Sequence, residues 1–379
     1  MAQTDAPSTR VRSGAVARPG RSAASPRRSV IRYASRHLGF LAGLLIVAIA
    51  IGITYRYLFD PLDQRTVAFY LRSSIHAMGL TLAGWVVHLT FAAVPRSRLG
   101  GVLRRLPLSA EFVIKALTMT AVLTTVAIGL EFGLYPFPLS RRWLVDELPR
   151  IVAIAFSASL FVGAIFEFRR MIGGRVLGSF LLGTYRRPRR EQRIVMFLDI
   201  ADSTALAEQL GEVRVHDLIT RFFFDIDQPI ADQEGEVHAY VGDEVIVTWP
   251  LSEDPERNAR SLRSFFAIEE RMIELAPSYA EEFGVVPRFR AGIHAGPVVV
   301  SECGATKRQI AYFGDTMNVA ARLCEHCKAA AEALVASADM LRSVAVPHGL
   351  SAGRHASLML RGRRTPVEAH AVHRTAPAG

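Results

Sequence analysis

Four apolar stretches in the first half of the chain restrict its fold more than any other feature. They cover residues 38–55, 77–94, 112–134 and 151–166. Each approaches the ~20 residues that a helix needs to cross a bilayer. Hydrocarbon offers no hydrogen bonds, so a segment buried there has to satisfy its own backbone, as a helix does. Residues 37–168 therefore read as a transmembrane domain of four helices. The fourth stretch is the shortest and needs flanking residues to complete its span. Lys115 and Glu131, near the two ends of the third, can snorkel toward the headgroups.

The net charge of +10 comes almost wholly from arginine, with Lys115, Lys307 and Lys328 as the three lysines. Arg10, Arg12, Arg18, Arg21, Arg27, Arg28, Arg32 and Arg36 precede the first span. Arg96, Arg98, Arg104 and Arg105 follow the second, and Arg169, Arg170, Arg175, Arg186, Arg187, Arg189 and Arg190 follow the fourth. The other two loops mix arginine with Asp60, Asp63, Asp146 and Glu147. The positive-inside rule then puts both termini in the cytoplasm, as expected of a multi-pass protein of the cell inner membrane. Basic charge that flanks apolar segments serves orientation in the lipid bilayer, so no nucleic-acid partner is expected.

Residues 1–36 are rich in Ala, Ser, Pro and Arg and read as disordered; the basic stretch is too long for a signal peptide. Residues 169–190 form a juxtamembrane linker. Val176, Leu177, Phe180 and Leu181 recur there at helical spacing, either on the lipid surface or as a dimeric transducing helix. His76 and His88 fall at and within the second span. They are either ligands for haem or a metal, or histidines hydrogen-bonded between helices. Cys303, Cys324 and Cys327 give no disulfide framework. Cys324 and Cys327 have the C-x-x-C spacing of a metal or redox half-site, but no second pair is near, so a helix with incidental thiols is the plainer reading.

The second half mixes apolar and charged residues as a water-facing domain does. Residues 194–199 read as a strand. Residues 204–210 and 215–233 read as helices, with Ser203 or Thr204 as N-cap. Residues 235–241 and 244–249 form a hairpin that turns at Gly242-Asp243. Residues 255–274 are helical. Residues 289–294 and 298–301 read as a strand pair turning at Gly296-Pro297. A helix over 316–328 and short strands near 356–361 and 367–372 complete an α+β order with antiparallel pairing. Asp199 and Asp243 then stand at adjacent strand ends. Mg²⁺ takes one or two protein carboxylates plus phosphate oxygens, so this pair points to nucleotide chemistry.

Four motifs, in order, carry a resemblance. They are Phe197-Leu198-Asp199-Ile200 with Ser203-Thr204, Val241-Gly242-Asp243, Gly292-Ile293-His294-Ala295-Gly296-Pro297-Val298, and Gly314 through Arg322 with Asn318 between. Residues 191–374 resemble a class III nucleotidyl cyclase, the family that makes cyclic AMP or cyclic GMP. The resemblance implies a ferredoxin-like α+β catalytic domain and two Mg²⁺ or Mn²⁺ ions per site. Asp199 and Asp243 would bridge the ions, and the carbonyl of Ile200 would add a ligand. Asp202, Ser203, Thr204 and Gly242 would lie against the triphosphate, and Arg361 or Arg363 would supply a late basic contact. Asn318 would orient the ribose and Arg322 would meet the α-phosphate. The metal residues and the Asn/Arg helix act from different subunits in this family, which implies a homodimer.

The chain departs from the family at the base. Many members select adenine with a Lys and an Asp at the positions held here by Ala239 and Ala311, which have no side-chain hydrogen bond to offer a purine. The guanylyl-type Glu is also absent at position 239. The expected activity is a membrane-anchored adenylate cyclase acting on ATP. The alternatives are a cyclase of relaxed or GTP specificity, and a catalytically inactive receptor or binding module. A diguanylate cyclase shares only Gly242-Asp243-Glu244 with its own signature.

Overall fold

Apolar sequence becomes helix wherever the first half of the chain is defined. The computed structural model describes residues 38–59, 66–93, 108–134, 145, 148–172, 178–179, 182–306, 308–359 and 365–375. The chain divides into two units, Met1–Gly174 and Arg175–Gly379. The basic N-terminal segment and the linker residues Val176, Leu177, Phe180 and Leu181 fall outside the described residues.

The first unit contains α1 (Leu38–Phe59), α2 (Val67–Ala93), α3 (Leu108–Leu134) and α4 (Leu148–Ile172), each packed on the next. Three of them carry windows long and apolar enough to cross a membrane: Tyr70–Phe91, Ala110–Gly133 and Leu148–Ile165. In α1 the apolar run is shorter, Leu41–Thr54, because Tyr55 and Arg56 follow it directly. The four-span expectation is thus met on length and composition by three helices.

Small residues let these helices approach. Gly52 lies on Ala77, and a Cβ at Gly79 would come within 2.8 Å of Leu130. The charged groups expected to snorkel have partners on their own helix and on neighbouring helices. Glu131 Oε2 is 3.5 Å from His76 Nε2, and Lys115 Nζ is 2.5 Å from Glu111 and 3.6 Å from Glu167. His88 has its ring 5.7 Å from that of Trp85.

The second unit runs β1 (Arg189–Ile200), α5 (Ser203–Leu210), α6 (Glu212–Asp232), β2 (Glu236–Val241), β3 (Glu244–Pro250), α7 (Pro255–Asn258), α8 (Arg260–Phe283) and β4 (Phe289–Cys303). Then come β5 (Gln309–Phe313), α9 (Asp315–Ala330), β6 (Leu334–Ser337), α10 (Ala338–Arg342), β7 (Leu350–Leu358) and β8 (Val367–Arg374). The sheet order is β2-β3-β1-β4-β6-β8-β7, with β5 paired to β4 off that path. The order β2-β3-β1-β4, antiparallel throughout, is that of a ferredoxin-like split βαβ. The pairing of β4 with β6 is parallel, which departs from the purely antiparallel expectation.

Alternation along β1 separates two cores. Ile194, Met196, Leu198 and Ile200 face α6 and α8, where Phe222, Ile226, Leu262, Phe265 and Ile268 are also buried. Each such side chain contributes about 1.5–3 kcal/mol by leaving water. Val195 and Phe197 face the other way, toward Ala320 and Cys324 of α9.

The predicted turn at Gly296-Pro297 is not a turn. β4 continues through it, pairing Gly296 with Arg193 and Pro297 with Gln192. The two residues serve α9 instead. The Pro297 carbonyl accepts a hydrogen bond from Thr316 Oγ1 at 2.8 Å, and a Cβ at Gly296 would come within 2.7 Å of that oxygen. At Gly292 the contact is closer still, since an added Cβ would run into the backbone of Ala320, Leu323 and Cys324. Backbone atoms cannot rotate aside as a side chain can. Gly292→Ala should therefore destabilise the second unit by about 3 kcal/mol or more and speed hydrogen exchange across α9. Chemical denaturation and exchange mass spectrometry check this; wild-type stability in the variant would contradict it.

Candidate active site

The site begins where β1 ends. Asp199 pairs in register with Glu244 of β3 on one side and Arg290 of β4 on the other. This puts two carboxylates and a guanidinium in one row across the sheet, on the face that carries α9. Arg290 donates from Nη2 and Nε to Asp199 Oδ2 at 2.8 and 3.1 Å. Burial pushes the Asp199 carboxyl up, the Arg290 hydrogen bond pulls it down, and the charge of Asp243 raises it again; the net direction is upward. Glu244 is pushed up to about 7, first by burial and then by Asp199, Asp243 and Glu325.

Asp243 is the second residue of the two-residue turn between β2 and β3. Gly242 precedes it at φ 65°, the left-handed position that such a hairpin turn requires and glycine takes without strain. The Asp243 carbonyl accepts the Ile200 N–H at 3.4 Å, which fastens the hairpin to the end of β1. Asp199, Ile200 and Asp243 are thereby brought together.

The next turn corrects the predicted helix start. Asp202, in left-handed conformation at φ 58°, occupies the N-cap of α5, and Ser203 and Thr204 are its first helical residues. The Asp202 side chain does not cap; it takes a 2.9 Å bond from Arg288 Nη2. The Asp202 carbonyl accepts the Leu206 N–H at 3.0 Å, so the helix begins next to the carboxylate row.

Asn318 and Arg322 share the exposed face of α9, one turn apart. The opposite face buries Thr316, Val319, Ala320, Leu323, Cys324 and Cys327. Arg322 Nη1 is 2.6 Å from Glu325 Oε2. Among the described residues no hydrogen bond or ion pair joins Asn318 or Arg322 to Asp199 or Asp243. Ala239 and Ala311 are both half-buried, on β2 and β5. Their neighbours His238 and Tyr312 stack with ring centroids 4.3 Å apart and planes 9° from parallel. Arg361 and Arg363 fall outside the described residues.

Among the described residues no group of three or more His, Cys, Asp or Glu side chains is arranged to hold a metal ion by itself. Asp199 and Asp243 offer hard oxygen donors of the kind that Mg²⁺ or Mn²⁺ takes when substrate phosphates complete its shell, so the donor chemistry fits. Cys324 and Cys327 point into the protein. Cys327 Sγ lies 3.2 Å from the Ala291 carbonyl, and burial pushes its thiol up to about 12; Cys324 is raised by burial as well. They are inert thiols of a packed helix face.

Sequence reasoning missed Arg290, Glu244 and the β5 strand. Arg290 stands two residues before Gly292, so strand alternation puts both on the face that receives α9; that spacing was the available signal.

The fold and this cluster define a cyclase-type α+β domain with a carboxylate row at the end of its central strand. Residues 186–371 match the adenylate and guanylate cyclase catalytic domain, so the second unit carries a class III cyclase catalytic domain. Over 197 residues it is 35% identical to adenylate cyclase 2 of Rhizobium meliloti, covering 52% of this chain and 53% of that protein. Over 138 residues it is 33% identical to adenylate cyclase 1 of the same organism, covering 35% of this chain and 20% of the relative. The chain thus spans about half the length of the first relative and a fifth of the second. The crystal structure of the adenylyl cyclase CyaB from P. aeruginosa is similar with a TM-score of 0.45 at 21% identity, over 50% of this chain and 98% of that one.

Glu244 gives a pH test. Its folded carboxyl titrates near 7, above the ordinary 4.5, so the native state holds an extra proton between those values. Stability from this group is therefore lost as pH rises through that window. In metal-free buffer, the melting temperature of Glu244→Gln relative to wild type should climb between pH 5 and pH 8. A pH-independent difference would contradict the assignment.

Proposed function

We propose that the chain is a membrane-anchored adenylate cyclase that converts ATP to 3′,5′-cyclic AMP and pyrophosphate at sites shared by two copies of the chain. One observation carries the reading. Asp199, Ile200 and Asp243 meet at the end of β1, while Asn318 and Arg322 occupy a separate exposed face with no bond to them. A site that needs both sets is completed by the Asn/Arg face of a second copy.

The residues divide the work as follows. Asp199, Asp243 and the Ile200 carbonyl would hold two Mg²⁺ or Mn²⁺ ions, which would lower the pKa of the ribose 3′-hydroxyl and neutralise the leaving pyrophosphate. Arg290 exchanges Asp199 for an anionic partner when the site fills. Asp202, Ser203, Thr204 and Gly242 lie along the triphosphate, where N–H groups at the start of α5 favour anions. Arg361 or Arg363 adds a further cation. Asn318 fixes the ribose, and Arg322 leaves Glu325 to meet charge that builds on the α-phosphate.

ATP is favoured because the relatives at 35% and 33% identity are named adenylate cyclases. A second reading, relaxed base specificity, has its own support: neither Ala239 nor Ala311 can bond a purine edge through its side chain. A site that lacks such bonds discriminates weakly. For the membrane part we propose four spans, with α1 as the shortest, and both termini in the cytoplasm. Apolar windows in α2, α3 and α4 support the spans, and the flanking arginines support the orientation.

The test uses the full chain in vesicles with Mg²⁺ or Mn²⁺ and either ATP or GTP. Cyclic AMP is the expected product from ATP. Asp199→Ala should abolish turnover, and Arg322→Ala should lower it by about 10²–10³-fold. The two variants mixed should regain part of the activity, because one site of each heterodimer is intact. Absence of product from either nucleotide, in a preparation that dimerises, would make the domain an inactive binding module.

A further inference from the structure

One face of β1 carries more than Asp199. Strand alternation puts Glu191, Arg193, Val195, Phe197 and Asp199 on the same side, with Arg193 about 20 Å from Asp199 along the strand. Arg193 is only 4% exposed, and a buried guanidinium persists only with partners. It has three. Nε and Nη2 donate to Glu191 Oε2 at 2.9 and 2.7 Å, and Nη1 reaches Glu236 Oε2 at 3.4 Å. Its Cζ also sits 5.5 Å from the centre of the Tyr312 ring. The His238 ring stacks on Tyr312; burial, and then the charge of Arg193, hold that imidazole below its usual range.

These contacts join two strands that the backbone leaves apart. Among the described residues β2 pairs only with β3, and β5 only with β4. Each leads directly to one half of the catalytic apparatus. β2 ends in the turn that carries Asp243, and β5 passes through Gly314 into α9 with Asn318 and Arg322. A further contact enters from the segment before β1. Tyr185 donates its hydroxyl to Glu191 Oε1 at 2.7 Å, and its carbonyl accepts the Glu302 N–H at 2.8 Å. Glu191 thus holds Tyr185 with one oxygen and Arg193 with the other.

We propose that Arg193 is a positioning residue that, with the His238–Tyr312 stack, clamps β2 to β5 and so fixes the spacing between the Asp243 turn and the Asn318/Arg322 helix, the two half-sites that one chain contributes to the dimer, and that Tyr185 makes this clamp answer to the linker after the membrane helices. The effect on turnover rests on the cyclase reading above; the clamp itself does not. Glu191 cannot bind Arg193 in the same way once Tyr185 lets go, because its freed oxygen competes for the same guanidinium. Slackening the linker contact therefore changes the geometry between β2 and β5 through Glu191 and Arg193.

Arg193 itself is too buried to be a clean test, so the experiment uses Tyr185→Phe, His238→Ala and His238→Phe in the full chain. Hydrogen exchange is measured over residues 236–241, together with melting temperature and cyclic-nucleotide formation. Tyr185→Phe loses one hydroxyl. It should speed exchange over 236–241 at least threefold with the melting temperature held, and lower kcat three- to tenfold with KM changed less than twofold. His238→Phe, which keeps a flat ring on Tyr312, should retain wild-type exchange and kcat, whereas His238→Ala should not. The double variant Tyr185→Phe with His238→Ala should behave like His238→Ala alone. Exchange over 236–241 that ignores Tyr185→Phe, or single effects that multiply in the double variant, would overturn the clamp. If wild type forms no product while the exchange results hold, the cyclase reading fails and the clamp stands.

Discussion

The approach of α9 to β4 at Gly292 is the contact on which the rest of the second unit depends. Helix backbone lies on strand backbone there, with no side chain between them. That proximity buries one face of α9 and leaves the opposite face, with Asn318 and Arg322, turned outward. It also brings Cys324 to the backbone of Arg290, whose side chain holds Asp199. At the start of the helix the Thr316 side chain makes the contact, lying over Gly296 and bonding to the Pro297 carbonyl. A short stretch of β4 therefore fixes both the helix that presents one set of candidate residues and the cation that faces the other.

The carboxylate row is an electrostatic liability managed by arginine. Asp199, Asp243 and Glu244 crowd one strand end, where Asp243 raises the cost of ionising Asp199 and both aspartates raise that of Glu244. Arg290 offsets part of that cost at Asp199, and Arg288 forms an ion pair with Asp202. The same logic explains Glu191 and Glu236 around Arg193, with the signs reversed.

Much of this was legible in the sequence, and the reasons are local. Apolar runs with turn residues at Gly242-Asp243 give a hairpin, because a two-residue turn with glycine first has few other uses. The long helices follow from period and length. What stayed hidden depends on distant partners. Arg290 lies 91 residues from Asp199, and nothing near either residue announces the pairing. Gly296-Pro297 read as a turn because glycine and proline usually mark one; here they accommodate a helix that arrives later in the chain. β5 is only five residues long and gains its place by pairing with the far end of β4. In the first unit, α1 has helical composition but an apolar run that ends early at Tyr55-Arg56.

The ion pairs of the first unit have a mechanical consequence. Glu131, near one end of α3, faces His76 on α2, and Lys115, near the other end, faces Glu167 on α4. The two ties are 16 residues apart, about 24 Å of helix. An axial slide of α3 by one turn, about 5.4 Å, breaks both ties at once. A tilt about either end keeps one of them. α3 is therefore tied to its neighbours at two points, so a slide along its axis gives up more contacts than a lean about either end.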